Sequence, residues 1–292
     1  MENAAEVKKT SRWQASRPWR SAFLMILPAL AVLIIFYFYP ILKLIPKSFI
    51  DSEGFTLSYF SRVFTDTLYR ETLLRTLRIA LLSSVVNLLL GYPVAYMLSR
   101  AKARTAGIIM GCILISFWTS LLVRVYSWMV ILQKTGLLSK FLVWIGILKE
   151  PRSFMYTDFA VLLGMSNILL PYMILPIYSV LKGVDRNLPI AAMSLGATPA
   201  TAFWKITLPM SMPGVMSGVL LVFIQSLGFY IIPIMLGGPQ VMMITSLIDN
   251  QMFKFMNWNF GAALGMILLL ITAIFLMGFD RLFGLDQLKQ GV

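Results

Sequence analysis

Residues 182–214 read KGVDRNLPIAAMSLGATPATAFWKITLPMSMPG. Four prolines and three glycines are too many for an uninterrupted membrane helix, yet long apolar runs stand on both sides. Local rules fold the stretch. Asp185 or Asn187 can cap a short helix, with Pro189 in its first turn, where a missing N–H is harmless. That helix is expected from about Pro189 to Leu195. Gly196 ends it, because glycine accepts the left-handed backbone that closes a helix. Thr198 and Pro199 repeat the start signal, and a second helix is expected to run to about Thr207. Pro209 and Pro213 then predict a bend before the next apolar run. Ala191, Ala192, Gly196 and Ala197 leave a surface of little bulk, which admits close approach of a partner. Phe203, Trp204 and Ile206 are bulky enough to root the second helix in a bundle.

Outside this loop the chain is built for lipid. Hydrophobic residues make up 59% of it and charged residues 13%, against about 25% charged in soluble domains. A hydrocarbon core of about 30 Å needs about 20 apolar residues in a helix. Six uncharged runs reach that length: Ser21–Leu42, Ile79–Ser99, Thr105–Val123, Phe159–Leu181, Ile206–Ile248 and Phe255–Phe279. Ile206–Ile248 is too long for one helix, and its Gly237, Gly238 and Pro239 mark a turn or re-entrant segment shielded by protein. Two shorter runs, Val125–Gln133 and Phe141–Leu148, are read as helices at an interface, with Trp128 and Trp144 at headgroup depth. The expected fold is an all-α integral membrane protein. One domain of six transmembrane helices covers residues 21–280, between a basic arm (1–20) and a tail (281–292).

The net charge of +13 is read as loop anchors of a membrane protein, not as a nucleic-acid surface. Lys8, Lys9, Arg12, Arg17 and Arg20 precede the first run and place the N-terminus in the cytoplasm. Six spans return the C-terminus there. The turn Arg100–Arg104 is short and basic, as an inner turn should be. Over the whole chain the inner segments carry 13 Lys and Arg and the outer ones 12, and the longer external loops weigh less. Ser21–Pro40 is too long an apolar run for a signal peptide and is read as the first helix. Cys112 is the single cysteine, so no intrachain disulfide is possible.

Several chemistries are missing. No Gly-x-x-x-x-Gly-Lys-Ser/Thr phosphate loop occurs, so ATP hydrolysis is not expected of this chain. With no histidine, His-based zinc sites and Ser–His catalysis are excluded. The spans carry no pair of acids such as a proton-coupled pump uses. A potassium-type Thr-Val-Gly-Tyr-Gly filter is absent too. The chain reads as a non-enzyme without a metal site.

The loop resembles the signature of binding-protein-dependent ABC importer permeases: E-A-A, three variable residues, G-A, about nine more, then I-x-L-P. Ala191, Ala192, Gly196, Ala197, Ile206, Leu208 and Pro209 stand at matching places. Ile190 replaces the usual Glu, which leaves docking to shape and apolar packing; Asp185 is a candidate to compensate. Trp118–Trp128 with Thr135–Leu138, Leu175–Tyr178 and Leu236–Pro239 resemble the spermidine/putrescine group, in particular the first of its two permease subunits. The resemblance implies a type I permease fold whose coupling loop, about residues 182–208, grips an ATPase subunit. It also implies two ATPase copies holding ATP and Mg, a second homologous permease, a periplasmic solute-binding protein and residence in a bacterial inner membrane. The chain itself is expected to hold no cofactor. The implied solute is a polyamine or related amine; opines and amino-acid derivatives are the alternatives within the group. An ion-coupled secondary transporter is the rival class.

Such a solute path must use neutral groups. Asn87, Asn167, Gln225, Tyr172 and Tyr230 are the polar or aromatic candidates, and Trp118, Tyr126 and Trp128 form a candidate external gate. A cation can be held by aromatic faces and carbonyl oxygens. Asp158 and Asp249, at expected external ends, are placed to attract it first. Arg124, directly after the third run, is read as an interface anchor.

Overall fold

A computed structural model describes residues 18–51 and 54–283, and for residues 18–25, 282 and 283 the backbone alone. The arm residues 1–17 and the tail residues 284–292 lie outside the described part. Helix α1 (Pro18–Leu33) passes through a π turn, Ile34–Phe38, into α2 (Tyr39–Phe49). A two-stranded antiparallel hairpin follows, with Ile50 opposite Phe55. Then come α3 (Ser58–Thr65), α4 (Thr67–Arg100), α5 (Ala103–Trp118), α6 (Leu121–Leu132), α7 (Leu137–Trp144) and α8 (Asp158–Gly183). The loop supplies α9 (Asn187–Ser194) and α10 (Pro199–Ala202). The chain ends with α11 (Leu208–Leu227), α12 (Ile244–Asp249) and α13 (Trp258–Phe283).

Helix α8 is the centre. Val161, Met165, Leu169, Met173 and Ile177 recur every fourth residue and are at most 1% exposed. That spacing is one helical face. α4 and α11 close on it where their side chains vanish. A Cβ on Gly214 of α11 would lie 2.8 Å from the Pro176 carbonyl oxygen and 2.9 Å from Ile177 Cα. A Cβ on Gly218 would meet Met173 Sδ at 2.8 Å, and one on Gly91 of α4 would meet Met173 Cγ at 3.0 Å. Lipid tails are as apolar as side chains, so helices in a membrane associate through such packing rather than by escape from water. Beside this trio, α13 packs on α2, α3 and α12, with Phe260 fully buried against Tyr69 of α4 at 4.9 Å between ring centroids.

Six segments are long and apolar enough to cross a bilayer: Ile26–Phe49, Thr67–Arg100, Leu121–Trp144, Asp158–Gly183, Pro199–Leu227 and Trp258–Arg281. Five match expected spans. The third does not, and the reason is local. Thr119 and Ser120 are extended, with ψ of 136° and 133°, so the run Thr105–Val123 breaks there. Thr119 N and Oγ1 both donate to the Ile115 carbonyl, at 3.2 and 3.1 Å, and close the last turn of α5. A second interruption separates α6 from α7, where the Gly136 N–H donates to Gln133 O. At about 1.5 Å per residue, α6 and α7 reach about 18 and 12 Å, and α5 about 24 Å. None covers 30 Å alone. α5 and α6 do so in sequence: Phe117 of α5 meets Tyr172 halfway along α8, at 5.1 Å, and Leu132 O at the end of α6 accepts from Phe154 N, just ahead of α8. The third crossing is therefore a broken helix. The expected surface helix Val125–Gln133 is corrected to its second half, and Trp128 packs on the core there instead of lying free at an interface. α7 corresponds to the second expected surface helix, and its Trp144 is 81% exposed.

The other correction concerns the prolines after the loop. The helix is not interrupted at Pro209. α10, a π turn at Phe203–Thr207 and α11 form one helical rod, Pro199–Leu227. Pro209 falls in the first turn of α11 directly after the π turn. The wider i→i+5 register there absorbs the N–H that proline lacks. The long run Ile206–Ile248 is interrupted as expected: a π turn (Pro233–Gly237) and a 3₁₀ turn (Gly238–Val241) follow α11, with Gly238 at φ +54°.

The glycine contacts give a test. Gly214→Val places branched carbon against backbone at 2.8–2.9 Å, a clash no rotamer relieves. The variant should lower the melting temperature of the detergent-solubilised chain markedly, whereas Gly265→Val, in α13 with open space around it, should not. Equal melting temperatures for the two would refute the packing account.

Candidate solute path and coupling loop

The loop is built as its residues dictate. Asp185 Oδ1 accepts from Asn187 N at 2.9 Å and so supports the start of α9. At the other end Ala197 N donates to Ala192 O and Gly196 N to Met193 O, both at 3.0 Å. These are the 6→1 and 5→2 bonds of a Schellman closure, and they hold Gly196 at φ +93°. Thr198 Oγ1 accepts from Thr201 N at 3.2 Å and caps α10, with Pro199 in the first position. Phe203 anchors the rod edge-on to Tyr92 and Tyr96 of α4, at 5.9 and 5.7 Å. Trp204 does not help it: its side chain is 64% exposed, since the π turn rotates it off the bundle. Arg186 Nη2 donates to Ser99 O at 2.5 Å and ties the loop to the end of α4.

What the loop presents is apolar. Ile190 is 52% exposed and Leu195 89%. Ala191 is exposed, Ala192 and Ala197 are half-buried, and nothing lies within 4 Å of a Cβ built on Gly196. Leu208 is half-buried and Pro209 exposed. Asp185 is exposed but committed to the Asn187 amide. Leu195 escaped the sequence reading. Its signal was available: a large apolar residue directly before a capping glycine has no helical face left to turn inward.

The path candidates separate into groups. Trp118, 90% exposed, stands at the break, level with Phe117 and Tyr172. Pro171 and Pro176 interrupt the ladder of α8, which leaves the Asn167 and Tyr172 carbonyls without their i+4 donors. Tyr126 is 56% exposed and shares a cavity of about 410 Å³ with Gln133 and Tyr156. At the far end Tyr230, 37% exposed, hydrogen-bonds Asp249; burial first, then the carboxylate, pushes its phenol above the ordinary tyrosine value, so it stays a neutral donor. Gln225, on the last turn of α11, is exposed. Asn87 is fully buried instead, with Nδ2 donating to Ser83 O at 2.8 Å and Oδ1 unpartnered. Asp158 is ion-paired with Arg78, which neutralises the charge expected to attract solute.

Arg124 differs most from its reading. Its Nε and Nη1 are buried and bonded to no group, so it is not a free interface anchor. A larger cavity of about 760 Å³ lies between α3, α4 and α12, lined by Arg62, Tyr69, Ser246, Asn250, Gln251 and Lys254 among others.

Residues 87–284 match the family described as binding-protein-dependent transport system inner membrane component. The chain is 33% identical over 264 residues to the spermidine/putrescine transport system permease protein PotB of Escherichia coli, covering 88% of this chain and 96% of that one. It is 32% identical over 282 residues to PotB of Salmonella typhimurium, covering 94% and 95%. Among solved structures, a bacterial alginate ABC transporter in complex with an alginate pentasaccharide-bound periplasmic protein shares the fold, with a TM-score of 0.76 at 15% identity over 91% of this chain and 96% of that one. The fold and the loop thus define a membrane-spanning transport subunit, not an enzyme. The chain belongs to the binding-protein-dependent transport system inner membrane components, as an ABC permease subunit similar to PotB, and it is a multi-pass inner-membrane protein.

The Tyr230–Asp249 pair yields a prediction. Tyr230→Phe removes the donor and leaves Asp249 uncompensated. If the pair lies on the path, this variant should change the apparent affinity for solute by about 10- to 100-fold, since a hydrogen bond to a charged group is worth about 1.5–3 kcal/mol, and assembly should be intact. Uptake kinetics in vesicles test it; an unchanged half-saturation concentration removes the pair from the path.

Proposed function

We propose that this chain is one permease of a bacterial ABC importer that carries a small amine, of the polyamine class or a close relative, into the cytoplasm. A periplasmic binding protein delivers the solute. This chain and a second homologous permease enclose the path. Two copies of an ATPase, holding ATP and Mg, dock on the signature loops. The observation that carries this reading is the loop itself: a Schellman-closed helix offering Ile190, Leu195 and a bare Gly196, continuous through α10 with a membrane-crossing rod. ATPase closure moves the loop, and the rod carries the motion into the bundle, which is alternating access by rigid-body displacement. Similarity to PotB supports the amine. The neutral, aromatic character of Trp118, Tyr126, Tyr172 and Tyr230 supports it as well, since aromatic faces attract organic cations.

The decisive measurement is uptake into vesicles holding the purified assembly. ATP should drive accumulation of putrescine or spermidine in the presence of binding protein. Uptake driven by an ion gradient with no ATPase present would overturn the reading, and capture of an opine by the binding protein would move the solute class.

Gly196 gives the sharpest variant. At φ +93° a β-branched side chain costs on the order of 1–2 kcal/mol and adds bulk where a partner groove must close. Gly196→Val should insert and pair with the second permease, but lose ATPase recovery or uncouple hydrolysis from uptake. Normal recovery, hydrolysis and uptake together would exclude the loop as the coupling element.

The loop end of the bundle and both termini are assigned to the cytoplasm. Cysteines at Thr10 and Gln287, which lie outside the described residues, should resist an impermeant thiol reagent in spheroplasts. Labelling of either in a functional protein reverses the topology.

A further inference from the structure

Helix α7 carries an apolar face that the rest of the chain does not cover. At about 3.6 residues per turn, Leu137, Phe141, Trp144 and Ile145 fall within about 100° of arc. They are 70%, 55%, 81% and 42% exposed. Ser139 lies on the opposite side, fully buried, and Leu138 packs on the core. The helix leaves α6 sharply: a Cβ on Gly136 would stand 2.3 Å from the Ile131 carbonyl oxygen. It is then tied to the end of the bundle. Ser139 Oγ accepts from Arg152 N, and Leu132 O accepts from Phe154 N, both at 2.9 Å. Arg152 and Phe154 come just ahead of Asp158, where α8 begins. A hydrocarbon core takes about 20 helical residues and α8 has 26. Its start, and α7 beside it, therefore stand at headgroup depth, on the side away from the coupling loop.

Basic side chains rim that face. Lys140 stands beside it, within about 60° of both Leu137 and Trp144 around the helix. Lys134 and Lys149 flank its two ends, and all three lysines are exposed. Among the described residues none of them joins an ion pair; the one found there joins Arg78 to Asp158. Glu150 is the single acid between residues 133 and 157. We propose that α7 is an in-plane anchor selective for anionic phospholipid headgroups, in the leaflet away from the coupling loop. The inference rests on the permease reading given above for which leaflet this is, the outer one. Acyl chains cover the four apolar side chains, and Trp144 takes the interfacial depth that indoles favour. Lysine stems run along apolar surface and set their ammonium groups among phosphates. A water-soluble acidic partner would match the lysines but leave the apolar face in water. A zwitterionic headgroup brings its own cation to each phosphate, whereas phosphatidylglycerol brings none. One lysine at such a surface raises anionic-lipid occupancy about fivefold, and three together about 100-fold. Through Ser139 and Leu132 the anchor fastens the outer ends of the third and fourth crossings to the lipid.

The test uses the complete transporter in liposomes. Cys112, which is exposed, is first replaced by Ser. A nitroxide on Phe141→Cys should meet oxygen more readily than a water-soluble nickel chelate, and one on Arg152→Cys the reverse. A bimane on Phe141→Cys should favour dibrominated phosphatidylglycerol over dibrominated phosphatidylcholine as quencher by about tenfold or more. Lys134→Gln, Lys140→Gln and Lys149→Gln together should bring that ratio to within about threefold of unity, and the three Arg replacements should keep it. Ile147→Cys, at a site 66% exposed, carries the same labels if Phe141→Cys does not assemble. Readier access of the nickel chelate to the Phe141 site would overturn the anchor. So would shielding from both reagents, which means that the second permease covers the face. A phosphatidylglycerol preference that is absent, or unchanged by the three Gln replacements, would overturn the lipid selectivity. Absence of ATP-driven uptake by the unaltered assembly would instead sink the permease reading, while the labels still decide the anchor.

Discussion

Everything in this bundle depends on how closely backbone can approach backbone around α8. Met173 is seated between Gly91 of α4 and Gly218 of α11, and Gly214 rests against the backbone at Pro176 and Ile177. No water is present to drive these helices together, so the attraction is the sum of many short contacts. That sum needs three glycines facing one helix. It also explains the direction of the prolines. Pro171 and Pro176 free carbonyls within α8, and such carbonyls are tolerable where neighbouring helices lie close enough to exclude lipid.

The trio fixes one side of the molecule and leaves the other open. α1 and α2 touch the rest mainly through α13, and the window of the first crossing has no buried residue. Along α4, α11 and α13 a groove of about 800 Å³ is lined almost entirely by apolar side chains, Leu81, Val85, Leu89, Met212 and Phe275 among them. A subunit that works in a larger assembly is expected to keep such faces. They separate the chain's own fold, centred on α8, from the surfaces on which its function depends.

Much of this was legible in the sequence. Uncharged runs located five crossings because lipid permits little else. The loop was legible in detail, since Thr198-Pro199 and the Gly196 cap are local signals with one physical meaning each. The break at Thr119–Ser120 was not. Two small polar residues inside an apolar run are as compatible with a continuous helix as with an interrupted one, and packing against Tyr172 decides. Pro209 misled for a related reason: proline forbids an i→i−4 bond, but a π turn just ahead removes the demand for one. Burial was the least legible property. Asn87 and Gln225 look alike as amides in apolar runs, yet one is sealed between helices and the other is exposed. Only the three-dimensional neighbours of α4 and α11 distinguish them.

The π turn at Phe203–Thr207 has a mechanical meaning. Because it bridges rather than interrupts, the segment Pro199–Leu227 is 29 residues of unbroken helix, about 44 Å at 1.5 Å per residue. A continuous helix of that length converts angle into distance. Tilting it by roughly 5° about its loop end sweeps the far end through roughly 4 Å, given that length. At that far end stands Gly228, where the helix stops and the chain turns toward Tyr230. A break a third of the way along, such as Pro209 would have made, would dissipate the stroke near its start. The single wide turn keeps the lever whole.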